Sequence, residues 1–392
     1  MYPSNLVART LASTISLESD VYDVIMIEGM HRCGKTTLAT ELFHDLPSVD
    51  LLDVQPRNLA THEPAHFFSV YGDRLLIDHI ELAPQLLDHL PTDRSIKIVL
   101  VGNLWPEDRQ KLLARENAKI YQLMPLSQRE IRGVTAEPFA QKPVALTMSY
   151  PQMHFLDSLR NGFLPRPSQQ MTTHAFYEAW LATFFDQVVR GTLRVAKELQ
   201  FFRYMKALAQ HNMTELNHYK LSEIAGISYG TAIYWTDFLV AMGVLLEIPS
   251  LQLPTRRQVK RPKICFADSG LLCHLLECRT MEALLESEHY ERIFEGFVAS
   301  EIIKGYVAWG DKPPVTFYRD TSKKHIDLVI GTKRGYVPVG FYSQKGRDSK
   351  LVLREMKVLG RMGQAVQEPV LITDGSLVTD KTDVALIAAT SL

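Results

Sequence analysis

The chain has 392 residues, with 43 Lys and Arg against 44 Asp and Glu, a net charge of −1. Apolar residues make up 46% and charged residues 22%, which excludes a disordered or collagen-like chain. Near-neutral charge argues against a histone-like coat for nucleic acid, though not against a local basic patch. At about 150 residues per domain, the length predicts two or three domains, each burying its own core.

Residues 21–27 are apolar and β-rich and predict a strand; residues 35–43 follow with helical spacing. Further short apolar runs lie at 51–54, 74–77, 98–101 and 120–123. Such runs separated by helical stretches predict a parallel sheet covered on both faces, over residues 1–150. Residues 176–189 and 193–208 read as helices, with apolar side chains at three- and four-residue steps. Residues 221–246 then read helix, turn, helix. Ser228 is the predicted N-cap after the turn, and a short strand at 245–248 would complete a winged helix. Pro249, Pro254 and Pro262 mark a boundary near residue 250. Beyond it, strands are predicted at 264–266, 315–318, 326–330, 336–342 and 369–372, with a helix at 294–307, an α/β unit of its own.

The four cysteines, Cys33, Cys265, Cys273 and Cys278, include no CxxC pair, and no histidine cluster completes a zinc pattern in the sequence. So few cysteines in a chain this long predict a reducing compartment. Residues 1–20 lack a charged start followed by an apolar block, and no apolar run approaches the roughly 18 residues of a membrane span. The expectation is a soluble, cytoplasmic protein with no membrane partner.

The segment Gly29-Met30-His31-Arg32-Cys33-Gly34-Lys35-Thr36 fits G-x-x-x-x-G-K-[ST], directly after a predicted strand and at the start of a helix. Glycines let such a loop curl its N–H groups toward phosphates, and the helix N-terminus adds partial positive charge. Gly29, His31, Arg32, Cys33, Gly34, Lys35, Thr36 and Thr37 are therefore the predicted nucleotide-binding residues. Lys35 would reach the phosphates of ATP and Thr36 would ligate Mg²⁺. Nothing in the sequence separates ATP from GTP. Cys33 is either a thiol activated by the helix N-terminus or a passive small residue.

Asp78 ends the run 74–77 and is the predicted second metal-side residue. Many ATPases place Glu next; here His79 stands there and the next acid is Glu81. Binding and hydrolysis are thus separate questions, with His79 or Glu81 as the predicted base. Asn103, after the run 98–101, is either a sensor of the γ-phosphate or a turn residue. Arg115 is either a finger acting on a second subunit or a surface arginine.

The phosphate loop, the Leu75-Leu76-Ile77-Asp78 strand and Met124-Pro125-Leu126-Ser127-Gln128-Arg129-Glu130 together resemble a prokaryotic group of AAA-type P-loop ATPases. Asn161-Gly162-Phe163-Leu164-Pro165, the helix-turn-helix, residues 262–271, 294–298 and 325–330 continue the resemblance in order. That group carries a C-terminal domain of unknown function (number 4143) with a restriction-endonuclease-like fold. The resemblance implies an AAA/ASCE-like core over residues 1–150, a helical and winged-helix region over 151–250, and a nuclease-like α/β tail over 251–392. For the nuclease, Asp327 fits a metal-binding position, with Glu295 or Glu301 upstream. The Glu-x-Lys position aligns with Gly340-Phe341-Tyr342, and Lys345 has the wrong spacing, so the tail is expected to be inactive.

Residues 256–263 hold five basic side chains, Arg256, Arg257, Lys260, Arg261 and Lys263, and no acid. They are either a phosphate-tracking wing for DNA or a solvated hairpin facing a protein partner or a second copy. The predicted recognition helix carries no Lys or Arg, which argues against base readout. Three functions remain open at this level. One is an ATP-dependent switch with slow hydrolysis, the second a non-hydrolysing ATP-binding scaffold that recruits DNA or a protein, and the third and weakest a DNA-processing enzyme acting through Asp327.

Overall fold

The computed structural model describes residues 7–92, 96–139, 152–167, 170–193, 198–253, 260–322, 324–343, 349–375 and 385–392. The first sheet comprises β1 (Val24–Gly29), β2 (Ser48–Asp50), β3 (Arg74–Asp78), β4 (Lys97–Val101) and β5 (Ala118–Leu123). All pairs are parallel and the order is β2-β3-β4-β1-β5. Every residue of β1 is buried, as a strand covered on both faces requires. The order sets β4 between β1 and β3, so the end of β4 adjoins both the glycine loop and Asp78.

The strand expected at 51–54 lies earlier, at Ser48–Asp50. Asp50 ends it, because its carboxylate accepts the Leu52 N–H at 2.8 Å and bends the chain. A helix, Val54–His62, then starts where the strand was expected to end.

The middle of the chain is helical. The helix expected over 176–189 divides: an α-helix spans Thr173–Thr183 and a π-helix Phe184–Leu193. Trp180 and Phe184 stack across the junction at 4.8 Å. The next helix runs Glu198–Gln210; residues 194–197, where its start was expected, lie outside the described residues. His218–Ala225 and Tyr229–Ala241 follow as a helix pair, with Gly226 left-handed at the turn and Ser228 accepting the Thr231 N–H. β6 (Leu245–Ile248) pairs antiparallel with β7 (Lys263–Phe266). Of the basic run, residues 256–259 lie outside the described residues; Lys263 sits in β7 with its ammonium over the Phe317 ring.

The last sheet holds β8 (Val315–Arg319), β9 (His325–Thr332), β10 (Gly335–Tyr342), β11 (Val370–Thr373) and β12 (Ala385–Ala388), in the order β12-β11-β10-β9-β8. It is antiparallel from β8 to β10 and parallel from β10 to β12. One face of the first sheet and one side of the last sheet each keep a core of their own: Val24, Leu75 and Leu100 belong to the first, Tyr318, Val329 and Leu371 to the second. Ile27, Phe163, Trp180, Phe238, Phe297 and Val339 belong to one apolar core that runs through all three thirds. Contiguous apolar faces on the first sheet, the helices and the last sheet share it.

Two of the acids considered for a nuclease, Glu301 and Asp327, hold protein groups instead. Glu301 accepts from Lys304 Nζ at 2.6 Å and from the Gln128 N–H at 2.8 Å, both buried. Asp327 accepts the Phe341 N–H at 3.3 Å. A Cβ on Gly340 would lie 2.5 Å from Val352 and 2.7 Å from Met356, so a longer side chain there would have to push these two aside. Lys345 lies outside the described residues. Among the described residues, no helix is long and apolar enough to cross a membrane.

Candidate functional site

β1 ends at Gly29, where a Cβ would collide with the Leu123 carbonyl of β5. Two further left-handed residues, Arg32 (φ 60°) and Gly34 (φ 101°), close the loop and start the helix Lys35–Leu42. Arg9 ties the loop from behind, donating to the Cys33 carbonyl at 3.2 Å and pairing with Glu130 at 3.4 Å. Lys35 Nζ lies across the loop and donates to the carbonyls of Gly29 (2.8 Å) and Met30 (3.2 Å). The Thr36 hydroxyl donates to Asp78 Oδ2 at 2.7 Å. Residues 42 positions apart thus meet at the mouth of the sheet.

Asp78 is buried, and its second oxygen accepts the His79 N–H at 2.8 Å. His79 is left-handed (φ 57°), and its Nδ1 stands 2.8 Å from Asp50 Oδ1. Asp50 is a site residue that the sequence reading missed. Its only signal was an acid placed directly before a short apolar run.

After the left-handed step, a 3₁₀ turn over Ile80–Leu82 carries Glu81 to the end of β4. There Glu81 Oε2 accepts the Asn103 N–H at 3.2 Å. Asn103 Oδ1 in turn accepts the Gly29 N–H at 2.9 Å. The side-chain oxygen of Asn103 is therefore a strut to the loop. Burial pushes the Glu81 carboxyl above the usual carboxylate range, and the Lys35 ammonium pulls it partly back.

These groups line a cleft of about 310 Å³. His31, Arg32, Gly34, Lys35, Thr36 and Thr37 form one side of it, and Asp78, His79, Glu81 and Asn103 the other. Gly29 and Cys33 do not line it. Cys33 is fully buried with its thiol 3.3 Å from the Leu123 carbonyl, and burial raises the thiol pKa. Desolvation therefore outweighs the helix N-terminus, against the activated-thiol reading. Arg115 donates to the Pro91 carbonyl at 2.9 Å, anchored within its own chain.

The far wall comes from the helical middle of the chain: Pro165, Phe184, Val188 and Met242. The same region clamps the loop. Trp180 donates its indole N–H to the His31 carbonyl at 2.9 Å, and His31 Nε2 lies 3.2 Å from Thr183 Oγ1. Burial, then the charges of Lys35, Arg32 and His79, push the His31 imidazole down to about 3. Sequence reasoning carried no signal for Trp180, which is 149 residues from its partner.

Residues 153–282 match the family model of a domain of unknown function (DUF8612), which lies over the helical middle of the chain and the start of its last third. No curated protein matches the chain. Among the solved structures similar in part are two ATPases and Drosophila ORC. A Walker-type ATPase of Pyrococcus abyssi aligns at 11% identity with a TM-score of 0.43, covering 70% of this chain and 97% of its own. A signal-transduction ATPase with numerous domains (STAND) from Pyrococcus horikoshii, bearing a tetratricopeptide repeat sensor, aligns at 12% identity with a TM-score of 0.23. That match covers 76% of this chain, which spans about half (49%) of the Pyrococcus horikoshii protein. Drosophila ORC, bound to AT-rich DNA and Cdc6, aligns at 10% identity with a TM-score of 0.21, over 69% and 93% of the two chains. Likenesses at these scores carry no functional weight.

Proposed function

We propose that the chain is a P-loop ATPase of AAA-like type, a nucleotide-dependent switch that binds Mg-ATP in the cleft and hydrolyses it slowly. The observation that carries this reading is the Thr36 hydroxyl on Asp78 at 2.7 Å, beside Lys35 on the loop carbonyls. The loop N–H groups and the start of the helix Lys35–Leu42 favour a polyphosphate. Lys35 exchanges its contacts with the Gly29 and Met30 carbonyls for phosphate oxygens. Thr36 and Asp78 offer the hard oxygen donors that Mg²⁺ prefers, and the ion would offset phosphate charge there.

For hydrolysis the base is Glu81. Its raised pKa brings it nearer the operating pH, where a general base works best. His79, directly after Asp78, is held by Asp50 instead. Pro165, Phe184, Val188 and Met242 offer an apolar seat for the base of the nucleotide. A nucleotide in this position touches both the sheet and the helical region, so its binding and loss shift one against the other.

Equilibrium binding of Mg-ATP to wild type and Lys35→Ala tests the nucleotide assignment; equal affinities would end it. Turnover in Glu81→Gln and His79→Ala tests the base. Glu81→Gln is expected to lose roughly 10²–10⁴ in kcat, and His79→Ala much less. The reverse order would overturn the role given to Glu81.

The second reading, a non-hydrolysing scaffold that recruits a partner, is favoured by the Asp50 contact that occupies the residue after Asp78. Phosphate release over hours in wild type and Asp78→Ala discriminates the two. Asp78-dependent release counts against the scaffold.

A further inference from the structure

His174 and Glu178 stand one turn apart on the helix Thr173–Thr183 and so share a face. His274, in the last turn of the helix Ser269–Leu275, meets them from a segment 96 residues further on. His274 Nε2 is 3.2 Å from Glu178 Oε1, and His174 Nδ1 is 3.9 Å from the same oxygen. One donor atom from each residue falls within 4.8 Å of the other two. The two imidazoles lie face to face, centroids 5.2 Å apart.

We propose that these three side chains bind a borderline divalent transition-metal ion, Zn²⁺ being the probe. Donors about 2.0–2.2 Å from a tetrahedral Zn²⁺ stand roughly 3.4 Å from one another. The separations of 3.2 and 3.9 Å bracket that value, so small side-chain rotations close the site. Two imidazoles and one carboxylate select Zn²⁺, Co²⁺, Ni²⁺ or Cu²⁺ over Mg²⁺ and Ca²⁺. The frame is rigid: Tyr177, on the same helix, donates to Asp268 Oδ1 at 2.6 Å beside the second helix. His274 is only 9% exposed, while Glu178 (59%) and His174 (45%) face solvent, which leaves a fourth position for water. The ion acts as a staple between the two helices. Trp180 and Thr183, further along the first helix, are the clamp on His31, so the staple steadies the element that holds the phosphate loop.

The full chain, stripped of metal with a chelator, is titrated with Zn²⁺ by calorimetry and with Co²⁺ by visible absorption. Wild type is expected to bind one Zn²⁺ that the double variant His174→Ala/His274→Ala does not bind, and to show a Co²⁺ ligand-field band. His174→Ala alone replaces a half-exposed side chain and should weaken Zn²⁺ at least about tenfold, by analogy with the loss of supporting ligand contacts. It decides the matter if the double variant does not fold. Equal stoichiometry and affinity in wild type and His174→Ala, or no Co²⁺ band in wild type, would overturn the site.

Discussion

The carboxylate of Glu81 occupies the space that a Cβ on Gly102 would need. Gly102 is also left-handed (φ 144°), so the end of β4 accepts the acid only because it carries no side chain there. Alanine at Gly102 pushes the end of a flexible side chain away from Asn103. It is expected to cost about 1–3 kcal/mol in backbone strain and to reduce kcat as Glu81→Gln does, while Mg-ATP affinity stays within a few-fold. Stopped-time turnover and equilibrium binding read the two effects separately. Unchanged kcat would show that the position of Glu81 is immaterial.

The indole of Trp180 is the donor that satisfies the His31 carbonyl. Trp180→Phe keeps the ring against Phe184 and removes the donor. Leaving a half-buried carbonyl unpaired costs about 1–3 kcal/mol. Urea unfolding should show that loss, and Mg-ATP affinity should fall with it because the loop is less firmly held. A fall in stability with affinity intact would separate the clamp from nucleotide binding.

His31 gives a signed pH dependence. Its pKa drops from the ordinary 6.5 to about 3 on folding, so between these values the unfolded chain binds more protons than the folded one. The stability it contributes is present above about pH 6.5 and is lost as pH falls toward 3. Urea midpoints at pH 7 and pH 5 should therefore differ less in His31→Asn than in wild type. Glu81, raised by burial, has the opposite sign and weakens the fold as pH rises from its ordinary value. Parallel profiles in wild type and His31→Asn would contradict the buried neutral imidazole.

Gly340 lies under Val352 and Met356. Gly340→Ala overpacks that contact and should destabilise by about 1–3 kcal/mol. Mg-ATP binding should not change, since the residue does not line the cleft. Thermal melts with and without Mg-ATP measure both. A variant as stable as wild type would mean the last sheet is looser than its packing indicates.

The curled glycine loop, Asp78 and the strand ends around them were legible in the chain, because those signals are local. Glycine spacing sets where a backbone turns left-handed, and a run of buried apolar residues sets a strand. The strand at 51–54 was misplaced for a local reason too: the Asp50 side chain bends the chain before the apolar run ends. Likewise the helix over 176–189 kept its apolar period while its hydrogen bonding changed at Phe184.

By itself, then, the chain determined a curled glycine-rich loop between a strand and a helix, and the acid that faces it. Only the tertiary structure decided that Glu81 would stand at Asn103 and that His79 would be taken by Asp50. It alone set Trp180 on His31 and brought His274 to His174 and Glu178. Each of these contacts spans a stretch of chain whose path depends on how distant apolar faces pack into a shared core, and short-range pattern holds no record of that path.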